Sequence, residues 1–297
     1  MKYSTSVGRE PLRKSLGFLK VIEMYIDSGF DTLDMMFDGY DIKNKLCDGS
    51  YKELFSEVRA LADSKAATFN QAHAPFGGGY KVYTEEKLPL MPKVFEACAI
   101  LGVKDVVVHP VTYYRYFGVE DELFEINMKN YRALAPIAKS FGVRIAIENM
   151  WTEDPDTKRI TDSVCASPEE HIRYYDTLSD TEAFTLCLDV GHTVLCGRDP
   201  AAVIHQLGRD RLGALHVHDV DFGIDLHTLP YQGCIDFESL CRALGEIDYK
   251  GDLTLESTAF TYRTPDHALP EAIRLMATVA KDLADKVDSY RIRKNVK

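Results

Sequence analysis

Apolar residues in this chain alternate between two kinds of spacing. Short β-branched or apolar runs recur near residues 2–6, 30–36, 66–73, 103–109, 143–149, 184–190, 212–219 and 251–257. Between them lie stretches of helical period. In LRKSLGFLKVIEMYIDSG, Leu12, Leu16, Leu19, Ile22 and Ile26 form one stripe. EKLPLMPKVFEACAILG and LFEINMKNYRALAPIAKSFG carry the same period. Gly29, Gly102 and Gly142 close helical stretches just before the next strand, as helix C-caps do. Ser167, followed by Pro168 and Glu170, has the order of a capping box.

Eight β-then-α units predict an α/β fold, a closed (β/α)8 TIM barrel in which residues 1–297 form a single domain. An open doubly wound sheet is the alternative. The barrel is preferred because ligand-type side chains end at least six different strands. A barrel gathers all strand ends around one mouth, whereas an open sheet concentrates its site at one crevice. No linker or shift in composition divides the chain.

The chemistry sits at those endings. RIAIEN, TLCLDVGH, ALHVHD and LTLEST place Glu148, Asp189, His218 and Glu256 where a buried strand gives out. Strand three ends at His73 and strand four at His109, while His192 follows strand six on a loop. Each has an ordinary alternative, since a lone strand-end carboxylate is often a helix N-cap and a lone histidine a core hydrogen-bonder. Two glutamates, an aspartate and several histidines at one mouth are harder to explain that way, because clustered carboxylates repel one another and resist ionisation. A divalent cation removes that cost. Mixed carboxylate and imidazole donors suit Mn²⁺, Co²⁺, Fe²⁺ or Zn²⁺. His216 and His218, two apart on a strand, face the same side; His218 is expected to be the ligand and His216 to support it from a layer below. His171, His205 and His267 fall on helices or helix starts and suggest surface roles. Gly77 to Gly79 lack the Lys-Ser/Thr of a phosphate loop and read as a lid.

Composition narrows the partners. A formal charge of −11 argues against a nucleic-acid partner. The densest basic run, RIRKNVK at 291–297, reads as a solvated tail. No run is long and apolar enough for a membrane span, and MKYSTSVGREPLRK lacks the apolar core of a signal peptide, so a cytoplasmic location is expected. Seven cysteines without a CxxC pair read as reduced thiols.

IENM, LDVGH, LHVHDV, DLHTLPYQGCIDF and LTLES together resemble the xylose-isomerase-like superfamily of sugar isomerases and epimerases. The resemblance covers most of the chain. It implies one divalent metal, Mn²⁺ first and Co²⁺, Mg²⁺, Fe²⁺ or Zn²⁺ as alternatives, held by Glu148, Asp189, His218 and Glu256. Glu148 and Glu256 would be the acid–base pair, and a carbohydrate would meet His192. Proton abstraction beside a carbonyl, through a metal-stabilised enediolate, is the implied reaction. Trp151 offers a platform for a sugar face, and Tyr113, Tyr114, Arg115 and Tyr116 shape the pocket after strand four. The ketohexose epimerases' arginine after strand seven is missing from DVDFGIDLH, which speaks against a simple free ketohexose. Family barrels commonly pair, so a homo-oligomer is a further expectation.

Two alternatives share the fold. A lyase such as an inosose dehydratase would begin with the same proton abstraction. Endonuclease IV, a trinuclear zinc enzyme of the superfamily, has nine ligands with counterparts at His73, His109, Glu148, Asp189, His192, His218, Asp225, His227 and Glu256. DVGH in place of DTCH, HVHDVD in place of HLND, and the acidic chain speak against it. Under the sugar reading, His73, His109, Asp225 and His227 contact substrate or anchor its loop.

Overall fold

The structure is a computed structural model that describes residues 1–8, 16–77, 79–221 and 223–295. Its eight parallel strands are β1 (Tyr3–Val7), β2 (Thr32–Met36), β3 (Thr68–His73), β4 (Asp105–Val108), β5 (Arg144–Glu148), β6 (Phe184–Asp189), β7 (Leu212–His216) and β8 (Leu253–Leu255). They pair in sequence order, with β8 beside β1. The ring closes between β7 and β8 through one parallel bridge, Val217 to Leu255. Val217 donates to the Thr254 carbonyl at 2.8 Å, and Glu256 donates to that of Val217 at 2.9 Å. The expected TIM barrel is the fold observed.

Helices cover the outside. Phe18–Asp27 buries Val21, Ile22 and Tyr25 against the sheet; Leu12, at the start of the expected stripe, lies outside the described residues. Gly102 caps Met91–Leu101 in the left-handed region, at φ 79°. Ser167 accepts from the Glu170 N–H at the start of Pro168–Leu178, one half of the expected capping box, while the Glu170 carboxylate accepts from the Cys165 N–H rather than that of Ser167. Glu120–Ser140 runs 21 residues with Pro136 inside it. The basic end of the chain is less of a tail than expected. Arg291 belongs to the last helix, Leu269–Asn295, and pairs with Asp288 at 2.7 Å, while Val296 and Lys297 lie outside the described residues.

The barrel interior is layered. Ser4, Gln71 and Thr254 form a hydrogen-bonded polar floor, with Ser4 Oγ donating to Thr254 Oγ1 at 2.8 Å. Val107, Ala146, Cys187 and Ala214 form a small apolar cluster inside the barrel. Side chains alternate across a strand, so the residue two positions on faces the same way one layer nearer the mouth. Those residues are His109, Glu148, Asp189 and His216. The outer core, between strands and helices, is apolar and nearly continuous.

Two antiparallel ribbons rise from the mouth. Trp151–Glu153 pairs with Ile160–Asp162 after β5, and Asp219–Asp221 with Ile224–Thr228 after β7. Buried Asp219 organises the second turn, its carboxylate accepting from Val220, Gly233 and Ile235 N–H at 3.0, 2.8 and 3.2 Å.

Candidate active site

Register decides which imidazole joins the carboxylates. Asp189 lies directly beside His216 across the β6–β7 pair. His216 Nδ1 is 2.8 Å from Glu148 Oε1 and 3.5 Å from Glu256 Oε2. Ligand atoms of Glu148, Asp189, His216 and Glu256 all lie within 4.8 Å of one another. His218 lies outside this quartet. Its Nε2 meets both Asp189 oxygens, at 3.1 and 3.0 Å, and its ring stacks on His227 at 4.0 Å. His216 thus meets the carboxylates in their own layer and His218 stands one layer above it, where its Nδ1 is 3.4 Å from the Asp219 carbonyl and it forms a further compact group with His227 and Glu256.

Beneath the quartet, His216 Nε2 faces buried Asp34 of β2 at 3.9 Å. Asp34 accepts from Ser6 Oγ at 2.7 Å. Among the described residues, neither His216 Nε2 nor Asp34 Oδ1 has a hydrogen-bond partner. Burial pushes the Asp34 carboxyl up, against the charge of His216. Asn149 ties β5 to β6, accepting from Asp189 N–H at 2.8 Å and donating to the Asp189 carbonyl at 3.0 Å.

The other predicted residues converge above. His109 Nε2 is 2.7 Å from Glu148 Oε2 and 3.0 Å from His73 Nε2. His192 sits in a short helix, Val190–Leu195, rather than on a loop, with Asp189 as its N-cap accepting from His192 N–H at 2.7 Å. His227 and Asp225 belong to the ribbon after β7 and meet at 3.1 Å. Trp151 Nε1 donates to Asp225 Oδ2 at 3.2 Å. Three of these imidazoles share one posture. The Nδ1–H of His73 donates to the Ala74 carbonyl at 2.8 Å, that of His192 to Asn149 at 2.8 Å and that of His227 to Glu256 at 3.1 Å. Each then presents Nε2 inward, the arrangement that orients metal-ligating histidines.

Electrostatics follow from this packing. Burial alone would push the Glu148 carboxyl up, but the charges of His216 and His109 hold it well below the usual range. Burial is likewise outweighed at Glu256 by His216 and His227, and at Asp189 by His192 and His218. His227 is raised to about 9, with Glu256 and Asp225 overcoming its burial. His109, buried, is lowered instead.

These residues floor a cavity of about 430 Å³ lined by His73, His109, Glu148, Trp151, His192, Asp225, His227 and Glu256, with Asp189 and His218 sealed behind them. Gly77 and Gly79 form part of its wall, and Gly78 of the expected lid lies outside the described residues. Tyr116 turns away, donating to Glu170 at 2.8 Å, and Arg115 pairs with Asp156 at 2.5 Å. His171 is not on the surface. It is buried, lowered to about 4 by that burial, and its Nε2–H donates to the Ile147 carbonyl at 2.8 Å, one residue before Glu148.

The match to known proteins follows the same pattern. Residues 22–279 fit the family described as "Xylose isomerase-like TIM barrel". The chain belongs to that family. The uncharacterized protein y4fM of Sinorhizobium fredii is 27% identical over 66% of this chain, and the chain covers 62% of that relative's length. The putative L-ribulose-5-phosphate 3-epimerase SgbU of Escherichia coli is 23% identical over 86% of this chain and 88% of its own. An inosose dehydratase of Geobacillus kaustophilus is 29% identical over 27% of this chain and 31% of its own. A D-tagatose 3-epimerase-like structure superposes with TM-score 0.72 at 19% identity, covering 97% of this chain and 100% of its own. A zinc-containing IolI structure does so with TM-score 0.70 at 21% identity, covering 98% and 99%. Family members thus include sugar epimerases and dehydratases. Among the described residues, no helix is long and apolar enough to cross a membrane.

Proposed function

We propose that this protein is an enzyme, a divalent-metal-dependent isomerase or epimerase of a sugar or polyol-like substrate. The observation that carries the reading is the buried quartet, in which two glutamates, one ending β5 and one just past β8, flank the buried His216 and line an open cavity. The donor set fits a cation. Ligand atoms of three carboxylates and one imidazole lie within 4.8 Å of one another, and carboxylate–imidazole donors suit Mn²⁺, with Co²⁺, Mg²⁺, Fe²⁺ or Zn²⁺ as alternatives. A cation bound there would polarise a substrate carbonyl and offset the charge that builds on its oxygen.

The chain's own residues supply the rest. Glu148 and Glu256 are held ionised, so each can accept a proton from the carbon beside the carbonyl. Delivery of a proton to the opposite face of that carbon by the other glutamate, once it has taken that proton from solvent, gives an epimer. Return to the neighbouring carbon gives the aldose–ketose isomer. His192, fixed through Nδ1, directs Nε2 to a substrate hydroxyl, and Trp151 lays its indole along the cavity wall. The sugar epimerase relatives support this reading.

Two further readings each have an observation behind them. The inosose dehydratase relative supports a lyase, in which the same proton abstraction is followed by loss of a β-hydroxyl as water. The inward imidazoles of His73, His192 and His227 support more than one cation, since His192, Asp225 and His227 form a second compact group; that arrangement suits phosphodiester hydrolysis. Deuterium wash-in from D₂O beside the carbonyl, followed by NMR over a ketose and inosose panel, tests the choice. Exchange is expected with Mn²⁺-loaded protein and a loss of about 100-fold or more in Glu148→Gln and Glu256→Gln. Wild-type exchange in either variant would overturn the assignment, and zinc-dependent cleavage of abasic DNA without exchange would transfer it to the hydrolytic reading.

A further inference from the structure

The cavity does not end at the metal-ligand layer. Beside it, sharing Gly77, Gly79 and Thr112 as a common wall, lies a second depression, also of about 430 Å³. Its other lining residues are Tyr80, Tyr113, Tyr114 and Thr152. The two compartments differ in chemistry, because the inner one holds imidazoles and carboxylates and the outer one phenol rings and threonine hydroxyls. Tyr114 is 80% exposed and Tyr80 44%. Tyr80 and Tyr113 meet edge to face at 6.3 Å and 90°, which gives the depression two differently oriented aromatic walls. The Tyr113 hydroxyl is braced on Glu122 at 3.0 Å. Among the described residues, neither compartment is lined by a lysine or arginine.

We infer that the outer depression is a second saccharide subsite, and that the substrate is an uncharged glycoside spanning both compartments. The inference rests on the sugar reading of the inner site. A sugar ring has an apolar C–H face and a hydroxyl rim. Tyrosine offers the matching combination, an apolar ring with a polar tip, and threonine hydroxyls both donate and accept. A phosphorylated sugar would instead call for arginine or lysine. The inner cavity alone reaches the ~300 Å³ at which ligand pockets begin, so an adjoining space of equal volume is more than one ring requires.

Four probes and two surface variants test this. Lactulose and isomaltulose are ketohexoses bearing a second sugar; D-fructose and fructose 6-phosphate are not. Deuterium exchange and calorimetric binding are measured on metal-loaded wild type, Tyr80→Ala and Tyr114→Ala. The expected result is at least tenfold tighter binding of a glycosylated ketose than of either single-ring sugar. Both variants should erase that preference, bringing the glycosylated ketoses to the affinity of D-fructose for the same variant. Equal binding of D-fructose or fructose 6-phosphate, or a preference that survives both variants, overturns the subsite. The binding arm stands without catalysis, so a variant-sensitive preference without exchange supports the subsite and sinks only the proposed reaction.

Discussion

Gly191→Ala is the sharpest test of how the second layer of the site is packed. A Cβ at this position would lie 2.1 Å from His218 Cε1 and 2.6 Å from its Nε2. Ordinary contact begins near 3.4 Å, so the ring must move by about 1.3 Å, the difference between the two. It has little room to do so, being fully buried, held by both Asp189 oxygens and stacked on His227. Overpacking a core costs about 1–3 kcal/mol, and loosening a charge-assisted hydrogen bond about 1.5–3 kcal/mol. The two overlap, which leaves roughly 3 kcal/mol. For 297 residues the unfolding entropy is about 0.6 kcal/mol/K, so Tm should fall by about 5 °C. Thermal unfolding by circular dichroism reads this directly. The cost should largely vanish in a His218→Ala background, where the methyl enters vacated space; the coupling should reach about 2 kcal/mol. A wild-type Tm for Gly191→Ala, or the same cost in both backgrounds, would refute the placement of His218.

Other predictions concern charge and support. His227 is raised to about 9 in the fold against an ordinary value near 6.5, so its stabilisation is complete below about 6.5 and disappears as pH rises through 9. The metal-free protein should therefore lose Tm between pH 6.5 and 9.5, and a flat profile in chelator would contradict this. Asp34→Asn keeps the volume but removes the charge facing His216 Nε2, so Mn²⁺ affinity should drop about 10- to 100-fold by dye competition. Unchanged affinity would remove Asp34 from the support of the site. His171→Ala removes one hydrogen bond to the Ile147 carbonyl and opens a buried void beside it, so urea unfolding should show about 2–3 kcal/mol lost; a loss under about 0.5 kcal/mol would mark His171 as incidental.

The barrel was legible because parallel strands buried on both faces are written as continuous apolar runs, and every expected run overlaps an observed strand. The strand-end residues were legible for the same reason, since an acid or imidazole closing such a run stands out. Depth was harder to read. Alternation places His216 and His218 on one face but does not say which meets Glu148; counting two residues on from the inward Ala146, Cys187 and Ala214 would have shown it. A place on a helix does not by itself say which face His171 takes, although its spacing of three from the buried Tyr174 and Pro168 marks the inner stripe. Asp34 passed unnoticed inside TLDMM, an acid in a buried run with the same signature as the others. The ribbons carrying Trp151, Asp225 and His227 were not read as strands, because pairs of three to five half-exposed residues leave almost no periodic signal.

The central claim is a single divalent cation at Glu148, Asp189, His216 and Glu256. Elemental analysis of protein purified without chelator, beside Asp189→Asn, tests it most directly. The account predicts about one Mn, Co, Mg, Fe or Zn per chain in the wild type and a large loss in the variant. Two or three zinc ions per chain, or one cation that survives Asp189→Asn, would contradict it.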